Sequence, residues 1–139
     1  MKKTRLVVEY EYDFDLLGII SSVKFYKLAW SINNQLDIRL VKEEDFILPL
    51  KNNKKETFVH YAYESEHCSI HLFKNKGESD EINYLIPEMA HIDYVLKIDA
   101  LSQSFAPKEV IKALRVVRWI EYIAPIDVKK LKSRDNFLS

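Results

Sequence analysis

Two segments with helical spacing of apolar residues constrain the fold of this 139-residue chain most strongly. The first spans residues 23–36 and carries an apolar stripe of Phe25, Leu28, Ala29, Ile32 and Leu36. The second begins at Pro107 and carries Val110, Ala113, Leu114 and Val117. A helix with one apolar stripe must bury it against another layer, so the chain needs a sheet that accepts both helices.

Apolar runs with strand periodicity predict that sheet. Residues 6–12 alternate as in a half-buried strand, and residues 16–20 are apolar on both faces, as in a central strand. Further strands are expected at 57–63 and 68–73, which form a hairpin, and at 82–86, 94–98 and 119–124. The order predicts an α+β two-layer sandwich, ferredoxin-like with extra strands: a largely antiparallel sheet with both main helices on one face.

The connecting segments carry more local predictions. Residues 21–22 are both Ser and offer an N-cap for the first helix, and residues 46–50 form an apolar connector. Gly77 can supply a positive φ in a turn, and Pro125 is expected to stop the last strand. The polar tail 129–139 is expected to be loosely ordered.

Composition bounds the function classes. The 21 basic and 21 acidic residues give zero net charge, which argues against a general nucleic-acid binder. The length fits one domain, 1–139, and one cysteine allows no internal disulfide, as in a reducing compartment. The chain has no apolar run of about 18 residues and no signal peptide, so we expect a cytoplasmic protein outside the membrane. Two glycines cannot build a phosphate-binding loop, and no cofactor is predicted.

Residues 86–94, Ile-Pro-Glu-Met-Ala-His-Ile-Asp-Tyr, form the most distinctive segment. Pro87 pushes the preceding residue into an extended conformation and suits the first turn of a helix. Glu88 then lies near the positive end of that turn, and Asp93 and Tyr94 begin the following strand. The segment therefore predicts an extended stretch, a tight turn and a strand.

This segment resembles the signature of the bacterial IPExxxVDY family, with Ile92 where the signature has Val. The likeness extends to Asp13-Phe14-Asp15, to Tyr26-Lys27-Leu28-Ala29-Trp30 and to the ending Ile126-Asp127 with Lys130-Leu131-Lys132-Ser133. The resemblance implies a bacterial protein. It implies no activity, because the family has no assigned function.

Glu88, Asp93 and Tyr94 are the candidate catalytic residues. Paired carboxylates perform acid–base chemistry when their surroundings separate their pKa values. Their commoner use is structural: Glu88 would brace the turn, and Asp93 would accept from a backbone N–H or pair with a basic side chain. Convergence of the two carboxylates in a cleft would favour an enzyme, and separate positions on a convex surface would favour a binding module.

His60 and His71 are candidate metal ligands, since they lie on adjacent strands of the predicted hairpin. Their register decides whether they share a face, and the alternative is that both are ordinary polar strand positions. No close His/Cys spacing resembles a zinc motif.

Aromatic residues supply the candidate binding surfaces. Tyr26 and Trp30 lie one turn apart on the first helix, where they either cover a sheet edge or, if well exposed, form a partner surface with Pro87 and Glu88 as further binding candidates. Strand aromatics at 61, 63 and 73 could stack on nucleic-acid bases, but they lack basic companions. The sequence therefore favours a non-catalytic interaction domain with a protein partner or a second copy, and leaves any small-molecule ligand open. The alternative is an enzyme that uses Glu88 and Asp93.

Overall fold

A computed structural model of the chain describes residues 13–100 and 105–137; the strand expected at 6–12 lies outside them. The helices are α1 (Phe25–Leu36) and α2 (Pro107–Leu114). The strands are β1 (Asp15–Ile20), β2 (Val41–Lys42), β3 (Phe46–Pro49), β4 (Lys55–Phe58), β5 (His60–Glu64), β6 (Cys68–Lys74), β7 (Tyr94–Ala100) and β8 (Tyr122–Ile126). Three short 3-10 turns follow Ile86, Asp127 and Ser133, namely Pro87–Met89, Val128–Lys130 and Arg134–Phe137.

In the described part of the chain, the main sheet has six strands in the order β2-β5-β6-β7-β1-β8, and every neighbouring pair is antiparallel. Strands β3 and β4 form a separate two-stranded ribbon. Within the main sheet, β8-β1-β7-β6, with a helix after β1 and after β7, is the ferredoxin-like order. Strands β5 and β2 extend it beyond β6, so the predicted α+β sandwich with extra strands is confirmed.

Strand alternation in β1 separates two apolar layers. Leu17 and Ile19 point to the face that carries both helices, whereas Leu16 points to the opposite face. The helix-side core joins the stripes of α1 and α2 to the sheet through Leu28, Ile32, Ile70, Leu96, Ile98, Val110 and Leu114, all at most 1% exposed. Both helices therefore pack on one face, as the sequence predicts. The apolar stripe of α2 differs from the prediction at two residues. Ile111 is buried and belongs to the stripe, whereas Ala113, which was expected in it, is only partly covered.

The opposite face has its own core, built from the β3–β4 ribbon, residues 85–92 and the C-terminal turns. Leu131 and Phe137 are 4% and 3% exposed there, so the prediction of a loosely ordered tail is wrong as far as the described residue 137. The tail is polar on average, but these two apolar side chains anchor it in the core, and composition alone does not show this.

The start of α1 differs from the prediction. Lys24 occupies the N-cap position without a side-chain hydrogen bond, so neither Ser caps the helix. Ser21 instead donates its hydroxyl to the Trp119 carbonyl at 2.6 Å. The Trp119 indole N–H in turn donates to the buried hydroxyl of Ser31 at 2.9 Å. Polar side chains thus tie α1 to the segment before β8.

Four predictions about the strands and their ends are corrected. Residues 46–50 were expected to be a connector, but they contain β3, and the expected strand 57–63 divides at Val59 between the ribbon and the main sheet. Residues 82–86 form no strand; Tyr84 makes only an isolated bridge to Lys76. Pro125 lies inside β8 instead of ending it; β8 is an end strand of the sheet that the described residues form, and an end strand tolerates a proline where its backbone N–H needs no partner.

Gly77 has no positive φ, so its predicted role is wrong. A Cβ at this position would collide with the side chain of Glu56, which is 1% exposed. The Glu56 carboxylate accepts from the backbone N–H of Thr57 and of Ser79, from the Ser79 hydroxyl and from the Asn83 amide. Burial acts to raise its pKa, but these hydrogen bonds outweigh burial and lower the pKa to about 2.

Glu56→Gln should lower the free energy of unfolding at pH 7 by roughly 3 kcal/mol, since the depressed pKa measures how strongly the fold prefers the carboxylate. The stabilisation is present above the ordinary pKa of 4.5 and is lost as the pH falls toward about 2. Urea unfolding from pH 7 to pH 2 should therefore show a flatter pH dependence in the variant.

Glu81→Gln is the matched control, because Glu81 pairs with Lys54 at 3.1 Å with both side chains 60% exposed. An exposed pair of this kind contributes at most about 1 kcal/mol. Equal destabilisation by the two variants would contradict the role of the buried carboxylate.

Gly18 occupies the middle of β1, opposite Val95 and Ala124 of the neighbouring strands. A Cβ there would collide with the Cδ1 atom of Ile92 and would lie 3.2 Å from that of Ile126. Ile92 is the position at which the signature has Val. The missing side chain of Gly18 therefore makes room for the additional methyl group of Ile92.

Gly18→Ala should lower the free energy of unfolding by about 1–3 kcal/mol through overpacking. Adding Ile92→Val removes the colliding methyl group, so the double variant should be more stable than the sum of the two single changes predicts. Thermal or urea unfolding of the four proteins measures this coupling. Strictly additive losses would show that the two side chains do not compete for one space.

Candidate functional site

The signature segment, residues 86–94, forms the predicted turn and strand. The 3-10 turn Pro87–Met89 precedes β7, while Ile86, with φ −120° and ψ 87°, falls short of the extended conformation that was predicted. Asn75, which is fully buried, holds the segment: its side-chain oxygen accepts from Ile86 N–H at 2.8 Å, and its amide donates to the carbonyls of Met89 at 3.1 Å and Ile92 at 2.9 Å. Sequence reasoning missed Asn75, because its only local signal is its place directly after the β6 run.

Glu88 fastens this turn to the C-terminal segment. Its carboxylate accepts from the backbone N–H of Lys132 at 2.6 Å and of Ser133 at 3.1 Å. Partial burial acts to raise its pKa, but hydrogen bonds from its own backbone, Ser133 and Lys132 outweigh this and lower the pKa. Glu88 therefore braces two chain segments.

Asp93 and Tyr94 join the start of β7 to the end of β1. The Asp93 carboxylate accepts from Ser21 N–H at 2.9 Å, which confirms the backbone partner that we predicted. The Tyr94 hydroxyl donates to the Val23 carbonyl at 2.6 Å, and burial, followed by the charge of Asp93, raises its pKa. Both groups hold the backbone in place.

The two carboxylates do not converge. Asp93 and Tyr94 line a cleft of about 290 Å³ whose described lining does not include Glu88. Both carboxylate residues are exposed, and each has its own backbone partners. This arrangement favours the binding module over an acid–base pair.

Tyr26 and Trp30 are 64% and 60% exposed on α1. They lie one turn apart on the outer surface of the helix, while Leu28 and Ile32 fill the core beneath. The Lys27 ammonium lies 4.4 Å from the centre of the Trp119 ring, in a cation–π contact. The exposure meets the condition under which the sequence favours a partner surface.

His60 and His71 share one face of the β5–β6 hairpin. Register pairs His60 with Phe73 and Ala62 with His71, so the two imidazoles are diagonal neighbours. His60 Nε2 and His71 Nδ1 are 2.8 Å apart, and the His60 ring stacks on Phe73 with centroids 4.7 Å apart. Sequence analysis left this register open.

The imidazole pair has a further partner at one end. His71 Nε2 lies 2.8 Å from the hydroxyl of Ser69. At the other end, the Glu44 backbone acts to raise the pKa of His60. Burial is the largest influence on both groups and lowers the pKa of each imidazole. Ser69 has no signal in the sequence beyond its place two residues before His71.

The pair opens onto a pocket of about 640 Å³. Its lining mixes charged, polar and apolar side chains: Arg39, Val41, Glu43, His60, Ala62, Tyr63, Glu64 and His71. Within residues 13–100 and 105–137, no group of three or more His, Cys, Asp or Glu side chains is arranged to hold a metal ion. The described residues thus offer the two imidazoles no third ligand of these types, and the imidazole nitrogens bond to each other.

The strand aromatics do not form an open stacking platform. Phe73 is 5% exposed, Tyr61 stacks on Phe25 at 4.8 Å, and Tyr63 packs partly against the helix-side core. Cys68 is buried as well. The geometry therefore gives the nucleic-acid interpretation no surface on these side chains.

Neither a scan against protein-family models nor a search of curated proteins finds a match for this chain. In the described part of the chain, neither helix has the length and apolar character needed to cross a bilayer.

Glu88→Gln and Asp93→Asn should each lower the melting temperature, because each weakens the charge-assisted hydrogen bonds to backbone N–H groups. We expect a loss of about 1 kcal/mol for each variant. Differential scanning calorimetry at pH 7 measures both, with Glu66→Gln in the exposed turn between β5 and β6 as control. Unchanged stability in both variants would count against the structural role of the carboxylates.

Proposed function

We propose that this chain is a small interaction domain that pairs with a second copy of itself through the Tyr26–Trp30 surface of α1. The exposure of both aromatic side chains is the observation that supports it most directly. Aromatic residues of this kind are enriched among the side chains that contribute most to protein interfaces.

A second copy suits this surface for two reasons. In a twofold interface the same patch supplies both sides, so each copy can place its aromatic pair against that of its partner. The chain has zero net charge, and α1 contains no acidic residue, so the contact does not depend on a partner of opposite charge. The Lys27 ammonium is held over Trp119 and need not be buried between the copies.

Membership of the IPExxxVDY family and a cytoplasmic location are part of the same proposal. Residues 86–94 support membership of the family. Asn75 hydrogen-bonds to this segment, and Glu88 and Asp93 within it accept hydrogen bonds from the backbone of other segments. Such a segment serves as a structural brace, which fits an interaction domain better than it fits an enzyme using these carboxylates.

Size-exclusion chromatography with light scattering tests the dimer. The wild-type chain should give twice the monomer mass of 16.5 kDa at high concentration. Tyr26→Ser and Trp30→Ser should each raise the dissociation constant roughly thirtyfold, the effect of about 2 kcal/mol at an interface hot spot.

Tyr122→Ser is the matched control, since Tyr122 is 53% exposed on β8, away from α1, and its loss should leave the mass unchanged. A wild-type monomer at high concentration would contradict the proposal, and so would a dimer that survives both α1 variants.

A further inference from the structure

The polar end of the sheet face opposite the helices carries a linear hydrogen-bonded group of Ser69, His71 and His60. The two internal distances, Ser69 Oγ to His71 Nε2 and His71 Nδ1 to His60 Nε2, are both 2.8 Å. A hydroxyl bonded to an imidazole that a third group orients is the geometry by which serine nucleophiles are recognised on unrelated folds.

One proton arrangement of this group suits a general base. In it, His71 Nδ1–H donates to His60 Nε2, and His71 Nε2 is the acceptor that faces the Ser69 hydroxyl. The chemistry described below requires this tautomer.

A cation lies beside the same group. Lys97 is the cross-strand partner of His71, and Asp99 is the cross-strand partner of Ser69. The Lys97 ammonium is 3.6 Å from the Asp99 carboxylate and 4.9 Å from the centre of the Phe14 ring, and its side chain is only 13% exposed. Its charge is therefore already matched by Asp99.

We propose that Ser69 is a nucleophile, that His71 is its general base and that His60 is the positioning residue that orients His71, together forming a site for hydrolysis of small carboxylic esters. The pocket of about 640 Å³ is lined by both imidazoles and has room for a small molecule, and its mixed lining suits an ester with one apolar and one polar side. Ser69 is not among its lining residues but is the cross-strand partner of Glu64, which is. This site is separate from the α1 surface and does not depend on the dimer.

The chemistry balances as two acyl transfers. Ser69 Oγ attacks the ester carbonyl carbon, and its proton passes to His71 Nε2 as the carbonyl oxygen becomes an oxyanion. Collapse of the tetrahedral species breaks the bond to the alcohol oxygen, which leaves with the proton from His71.

Water then attacks the acyl-serine, giving a proton to His71 Nε2. Ser69 Oγ leaves with that proton, and the carboxylic acid is released. His60 accepts from His71 Nδ1–H throughout, which holds the ring in place and stabilises the imidazolium between the steps.

Diisopropyl fluorophosphate tests the nucleophile without knowledge of the natural ester. Ser69 Oγ would bond to phosphorus, fluoride would leave, and the proton would pass to His71. Intact-mass and peptide mass spectrometry of the full chain should show one diisopropylphosphoryl group on Ser69. Ser69→Ala should abolish it, and His71→Gln should slow labelling about a hundredfold, as for loss of a general base.

Ser65→Ala is the matched control, because the Ser65 hydroxyl accepts from the backbone N–H groups of His67 and Cys68, donates to the Cys68 carbonyl and has no imidazole partner among its hydrogen bonds. It should label like the wild type. His60→Phe keeps the stacking on Phe73 but removes the acceptor for His71 Nδ1–H, so it should slow labelling. His60→Gln keeps an acceptor, so it should label faster than His60→Phe.

Labelling at Ser69 that depends on His71 supports the site. The proposal is overturned by the absence of an adduct, by an adduct elsewhere, or by Ser69 labelling at the wild-type rate in His71→Gln. Thermal melts of each variant show whether it folds. If one variant does not fold, the position of the adduct on the wild-type chain still decides whether Ser69 is the nucleophile.

Discussion

Burial of β1 on both faces is the constraint on which the rest of the structure depends. Leu16, Leu17 and Ile19 are at most 1% exposed, so apolar material must cover both sides of one strand. Two amphipathic helices cover one side. The other side is covered by the β3–β4 ribbon, the signature segment and the C-terminal turns. The first role of the signature segment is therefore to form part of the second core.

The covering of the second face has little regular structure, and three polar side chains compensate for this. Asn75, Glu56 and Glu88 each satisfy two or more groups that no strand or helix would pair. Asn75 and Glu88 lie where the chain turns between core residues, whereas Glu56 lies within β4 and accepts from Ser79 and Asn83 of the neighbouring loop. In each case one polar side chain closes a loop that would otherwise be open. Asp93 and Glu88 likewise already accept hydrogen bonds from backbone N–H groups, so the carboxylates of the signature are poor acid–base candidates.

Both helices, β1, β7 and the β5–β6 hairpin could be predicted because their apolar periodicity is local and strong. The C-terminal turns and the role of Asn75 could not, since isolated residues such as Phe137 gain their importance only from the surface they meet. The imidazole pair lies between these cases. His60 and His71 were recognisable, but their contact depends on pairing His60 with Phe73, and the periodicity of either strand does not fix that register.

Pro125 in the middle of β8 has a consequence for how copies of the chain can associate. This strand lies at one end of the six-stranded sheet that the described residues form, and a proline offers no backbone donor to an incoming strand. Continuous hydrogen bonding from molecule to molecule is therefore interrupted at this border.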